Sequence, residues 1–156
     1  MAAEASYKPQ FYVVGLGIEE ADDAYHLIRA IAPEVGPHDW RKYVRRRCRN
    51  GGFKGLFDDN GTLVGLFSYR LGERLRFGRV LALDDFVTFE LSRAAPGRKL
   101  LMAVAENFAR QSGCTGIEVR IGRRGIADPN CTKAAGWLEL GMELESVVFV
   151  KSLSDR

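Results

Sequence analysis

Short apolar runs alternate with polar, glycine-bearing punctuation along this chain, and two periods in the pattern separate strands from helices. Phe11-Tyr12-Val13-Val14 is an apolar run closed by Gly15-Leu16-Gly17 and predicts a first strand. From Glu19, the residues Ala21, Ala24, Ile28 and Ile31 recur at helical spacing until Pro33 and Gly36-Pro37 interrupt them. A second helix is expected from Asp39, a good N-cap, with Trp40, Tyr43, Val44 and Cys48 on one face and Gly51-Gly52 at its end. Residues 53–57 and 63–69 then read as two strands joined by Asp58-Asp59-Asn60-Gly61, a strong hairpin signal. Gly72-Glu73 predicts a turn into a long strand over 79–89. The pair Pro96-Gly97 opens a helix that places Leu101, Val104, Ala105 and Phe108 on one face and ends near Gly113. An alternating strand over 117–121, a short helix over 131–139 and an apolar strand over 146–150 complete the reading. The order β-α-α-β-β-β-α-β-α-β predicts an α/β domain of the α+β kind around one sheet. It occupies 1–156 as a single unit, with 1–10 as a flexible lead-in.

Composition narrows the class without naming it. The chain has 156 residues, 46% apolar and 28% charged, which suits one ordinary globular domain. No apolar run approaches the roughly 20 residues that a membrane span needs. The three cysteines, Cys48, Cys114 and Cys131, share no metal-type spacing, and MAAEASYKPQ is no secretory leader, so a reducing, cytoplasmic setting without a metal is expected. A net charge of +3 is too mild to imply nucleic acid by itself.

The chemistry concentrates between Val80 and Ile121. A small-residue loop ahead of a helix exposes backbone N–H groups that suit phosphate, and the carboxylates Asp84 and Asp85 lie one strand-length upstream. Adjacent strand residues point to opposite faces, so only one of the two is expected to face a substrate. The competing reading makes both of them strand-end partners for arginines, and Glu90 reads as solvated. Arg41, Lys42, Arg45, Arg46, Arg47 and Arg49 crowd the second helix. A solvated face is their first reading, recognition of an acidic acceptor the second, and nucleic-acid binding the least favoured, since no aromatic platform accompanies the charge. Cys131 and His26 read as structural, and Gly15-Leu16-Gly17 lacks the context of a dinucleotide site.

Three ordered segments resemble the GNAT superfamily of acyl-CoA-dependent N-acetyltransferases over nearly the whole chain. Leu83-Asp84-Asp85-Phe86 is similar to the fourth strand of diamine-acetyltransferase-like members. Ala95-Pro96-Gly97-Arg98-Lys99-Leu100-Leu101, continuing to Gly113-Cys114, resembles the pyrophosphate loop and its helix. The stretch from Asn130 through Trp137 to Leu140-Gly141-Met142 resembles the closing motif. The resemblance implies a single mixed, mostly antiparallel sheet flanked by about four helices. It implies acetyl-CoA as cosubstrate, a primary amine of a small molecule or peptide as acceptor, and Asp84, with Asp85 as the alternative, as the catalytic base. Phe86, Val87 and Thr88 would meet the pantetheine, and Arg93, Ala94, Ala95, Gly97, Arg98 and Lys99 the diphosphate, with Asn130 steadying the cofactor. Ala95 stands where the family's loop has its first glycine, and Trp137 where a tyrosine acid is usual. Those two departures motivate an alternative, an acyl-CoA-binding or regulatory module impaired in catalysis. The apolar final strand is a candidate for pairing across a homodimer.

Overall fold

The computed structural model describes residues 10–90, 94–122 and 132–153. It divides into two compact units, the first ending at Ile121 and the second beginning at Gly122. In the first unit, β1 (Tyr12–Leu16), α1 (Ile18–Asp23), α2 (Tyr25–Ile31), α3 (Pro37–Asn50), β2 (Gly51–Phe57), β3 (Leu63–Arg74), β4 (Gly78–Leu83), β5 (Val87–Thr88), α4 (Pro96–Gln111) and β6 (Gly116–Val119) follow in order. The sheet runs β1-β2-β3-β4-β6, with β5 also on β3. All its pairings are antiparallel except β4 with β6.

The sheet is built on β3. Asp58 closes the β2–β3 turn as an Asx cap, its Oδ1 accepting the amides of Asn60 and Thr62 at 2.9 Å each. Twelve residues long, β3 runs past the turn expected at Gly72-Glu73 and reverses only after Arg74. Its alternation sorts the two faces. Phe67 and Tyr69 point at α4, where Tyr69 lies 4.8 Å from the ring of Phe108. Leu66 and Ser68 point the other way, towards the helices α1 to α3, where Phe53 and Leu66 pack with Ala21, Ala24, Leu27, Trp40 and Val44. Trp40 is anchored there by its indole N–H, which donates to the Ala21 carbonyl at 3.0 Å.

Three expectations are corrected at the level of elements. The first helix splits at Ala24 into α1 and α2, and Ile31 at its end is exposed. The second begins at Pro37, which fills the first helical position because its missing N–H has no bond to lose; Gly36, not Asp39, is the N-cap. The long strand over 79–89 is broken. Between the Tyr69–Leu83 pair and the Leu66–Val87 pair the chain carries one residue more than β3, which is a bulge. Beyond it, β5 keeps β3 as its partner but has no β6 neighbour, whereas β4 is paired on both sides.

The second unit contains α5 (Thr132–Glu139). Gly141, at φ 79°, ends it in a Schellman motif, with Met142 N–H donating to Trp137 and Gly141 N–H to Leu138. The strand expected over 146–150 does not form. Those residues carry no ladder, and Val147, Val148, Phe149 and Val150 are exposed. An apolar, β-branched run makes a strand only where a partner edge takes up its N–H and C=O groups.

Candidate active site

The bulge decides the geometry. Two consecutive residues at a bulge can face the same side, so Asp84 and Asp85 turn together towards α3 instead of alternating as a regular strand would. The Asp84 amide still donates to the Ser68 carbonyl at 3.1 Å, which ties the bulge to β3. Asp84 Oδ2 accepts from Arg47 at 2.7 Å and from Arg70 at 3.1 Å. Its Oδ1 is buried without a hydrogen-bond partner, with Arg120 Nε at 4.0 Å. Asp85 Oδ2 accepts from the hydroxyls of Tyr43 and Ser68, each at 2.5 Å. Arg47 closes the loop by donating to the Tyr43 oxygen at 3.0 Å. The six groups form one network drawn from α3, β3 and the bulge.

The network fixes protonation states. Burial, and then the charge of Asp85 and the hydrogen bond to it, push the Tyr43 phenol above its ordinary range, so it stays neutral and donating at physiological pH. Burial opposes the charge of Arg47, but the Tyr43 oxygen and the two aspartates outweigh it and hold the guanidinium charged. With Asp84 side-chain exposure at 13% and Arg47 at 10%, this pair is largely shielded from solvent and weakly screened by salt. Tyr43, Arg46, Arg47, Asn50 and Arg70 line a cleft of about 480 Å³ beside it.

A second feature lies at the start of α4. The amides of Gly97 and Arg98 donate to the two oxygens of Glu90, at 2.7 and 2.9 Å. Glu90 is therefore not solvated as expected; it caps the helix. A Cβ on Gly97 would stand 2.8 Å from both Glu90 Oε1 and Leu56 Cδ2, so a larger residue there would oblige one of these side chains to shift. Ala95 enters the helix at φ 44°, in the left-handed region that glycine prefers. Among the expected diphosphate residues, Ala94 and Lys99 are exposed and Arg98 is half-buried. Arg93, Asn130 and Cys131 lie outside the described residues. Val87 is buried, Thr88 partly so, and Phe86 stacks on Phe67 at 6.2 Å. No cluster of metal-binding side chains occurs among the described residues.

Tyr43, Arg47, Ser68 and Arg70 did not stand out in the sequence as site residues. Tyr43 read as part of an apolar stripe and Arg47 as part of a charge run. Their signal is joint, an i,i+4 pair on a helix facing an i,i+2 pair on a strand, and it shows only once α3 lies on β3.

The described fold has many solved counterparts. An aminoglycoside N-acetyltransferase, AAC(6′)-Iy, in complex with CoA, superposes with a TM-score of 0.76 at 12% identity over 96% of this chain and 99% of that one. The aminoglycoside 6′-N-acetyltransferase AAC(6′)-Ih of Acinetobacter baumannii gives 0.73 at 15% identity over 94% and 100%. The glucosamine-6-phosphate N-acetyltransferase of Arabidopsis thaliana gives 0.63 at 13% identity over 93% and 99%. No family model matches the sequence, and no curated protein matches it either. At these identities the likeness is one of fold, and the fold is that of the GNAT acetyltransferases.

Proposed function

From a GNAT fold with an anion-seeking helix start behind a bulged strand, we propose an acetyl-CoA-dependent N-acetyltransferase acting on a primary amine. One observation carries the reading: two α4 amides, those of Gly97 and Arg98, already hold a carboxylate. A diphosphate is the stronger ligand for such amides, and Glu90 marks the place where it would sit. Gly97 and Arg98 would donate their N–H groups to it, and the unshared edge of β5 would meet the pantetheine amides. Acetyl-CoA supplies an activated acyl carbon and a thiolate able to leave.

The residues of the chain then have one main task, to hold the amine and take its proton. Asp84 is the proposed base. Arg47 and Arg70 occupy Oδ2; Oδ1, buried and without a hydrogen-bond partner, would accept from an ammonium once a neighbouring side chain moves aside to admit it. Asp84 takes one proton from the ammonium and so frees the nitrogen lone pair; the neutral amine bonds to the acyl carbon, the carbon–sulfur bond breaks, and the second proton passes to water. The thiolate takes its proton from water. Tyr43 and Ser68 hold Asp85 fixed beside the base.

Titration calorimetry with acetyl-CoA, followed by thiol release with a panel of amines, tests the reading. Binding at tens of micromolar or tighter is expected. Asp84→Asn should lower kcat by about 100-fold or more, the usual contribution of a general base, while acetyl-CoA binding persists. Binding without thiol release from any amine would favour a module that only holds the cofactor. No binding at all would end the proposal.

A further inference from the structure

We infer that the amine acceptor is anionic: a small primary amine that also carries a phosphate or carboxylate, which the cleft of Tyr43, Arg46, Arg47, Asn50 and Arg70 recognises. This rests on the acetyltransferase reading for the word acceptor, and on the charge of the cleft for the word anionic. Three of the five lining residues are arginines, and none is acidic. The two carboxylates that the lining residues touch are already engaged. Asp84 is shared by Arg47 and Arg70, and Asp85 by Tyr43 and Ser68. Arg46 is exposed and makes no ion pair among the described residues, so its charge is left over in the cleft. Arg120, half exposed, adds a further cation near Asp84 Oδ1. A planar guanidinium with several donors suits phosphate and carboxylate oxygens, whereas an amine with several ammonium groups would meet like charge at Arg46 and no unengaged carboxylate among the lining residues.

The position of the arginines adds direction to the charge. Arg47 and Arg70 both line the cleft and hold the proposed base. An acceptor whose anion sits by Arg46 and Asn50 is thereby fixed with the rest of its length running towards Asp84. Arg46 is a specificity residue in this account, separate from the proton-transfer step.

O-phosphoethanolamine, β-alanine and spermidine are the probes, titrated calorimetrically into the full chain without acetyl-CoA. At least one of the two anionic amines should bind more tightly than spermidine, and the better of them identifies the anion. Arg46→Glu should weaken that binding by about tenfold or more, the usual worth of a charge-assisted hydrogen bond. Arg110→Glu, the same substitution at an exposed position on α4, across the sheet from α3, should leave it unaltered. Tighter binding of spermidine, equal losses in both variants, or no binding of either anionic amine at millimolar concentration overturns the inference. Thiol release is measured separately. Arg46-dependent binding without thiol release keeps the anion site and removes the acetyltransferase reading. Thiol release with spermidine alone does the reverse.

Discussion

Tyr43 shows how much a single side chain can carry at this site. Its hydroxyl donates to Asp85 and accepts from Arg47, so one oxygen joins an acid to a base. Tyr43→Phe removes both bonds and leaves Asp85 with Ser68 as its remaining hydroxyl donor. A hydrogen bond to a charged group contributes about 1.5–3 kcal/mol, and denaturant unfolding should register a loss in that range. The pH dependence has a definite sign. The folded pKa of Tyr43 lies above its ordinary 10.0, so the contribution is complete below pH 10 and is lost as pH rises through the folded value. Absorbance titration of the phenols should show Tyr43 and Tyr69 ionising late, and Tyr43→Phe should leave Tyr69 as the late one of that pair. An unchanged titration curve would mean that Tyr43 is not held in this network. None of this is visible in the sequence, where Tyr43 differs little from Trp40 and Val44 on the same helical face.

Among the elements, α4 has the most unusual beginning. Its N-cap, Ala95, is left-handed at φ 44° and ψ 57°, a conformation that costs a residue with a Cβ about 1 kcal/mol. Ala95→Gly relieves it, partly offset by the greater freedom of the unfolded chain, and calorimetry should show a gain of up to ~1 kcal/mol. Glu90→Gln tests the cap itself. The amide side chain gives up the negative charge at the helix start, so the helix should lose about 1 kcal/mol while acetyl-CoA binds several-fold more tightly. Weaker acetyl-CoA binding in that variant would show that Glu90 supports the cofactor instead of yielding to it. The hairpin of β2 and β3, the apolar face of α4 and its Gly113 terminus were all legible, because local turn chemistry and periodicity determine them. The bulge after Leu83 was not, since Asp84-Asp85 interrupt the apolar run without showing that one residue more than β3 has been inserted there. The final run over 146–150 misled for a related reason: β propensity reports a side chain's fit to a sheet and does not supply the sheet.

Taken as a whole, the first unit is a sheet tied across its strands by charge as well as by backbone. Arg74 at the end of β3 reaches over β4 to Glu118 on β6 and donates twice, at 2.7 and 2.6 Å. That hydrogen bonding, against some opposing burial, lowers the Glu118 pKa below 4.5. The pair therefore stabilises fully above pH 4.5 and is lost as pH falls through the folded value. Both side chains are about a third exposed, so the contribution is modest, about 0.5–1 kcal/mol. Glu118→Gln should flatten the acid limb of the stability curve and leave neutral stability lower by that amount; a parallel acid limb would place the dependence elsewhere. At this scale the class of fold was readable from the chain, and so was the sequence of helices and strands in outline, but not the split of the first helix, the break in the long strand or the absence of a final strand. Of the candidate site, the chain offered only the two aspartates and the start of α4 as expectations, because the network's other members come from a helix laid on a strand. The two-residue rhythm of β3 has one more consequence. Phe67 and Tyr69 occupy odd steps, Ser68 and Arg70 even ones, so a slip of a single place would exchange grease for chemistry on both sides at once. Whatever keeps that count true, the Asp58 turn above all, guards the candidate site and the core together, and neither could drift without the other.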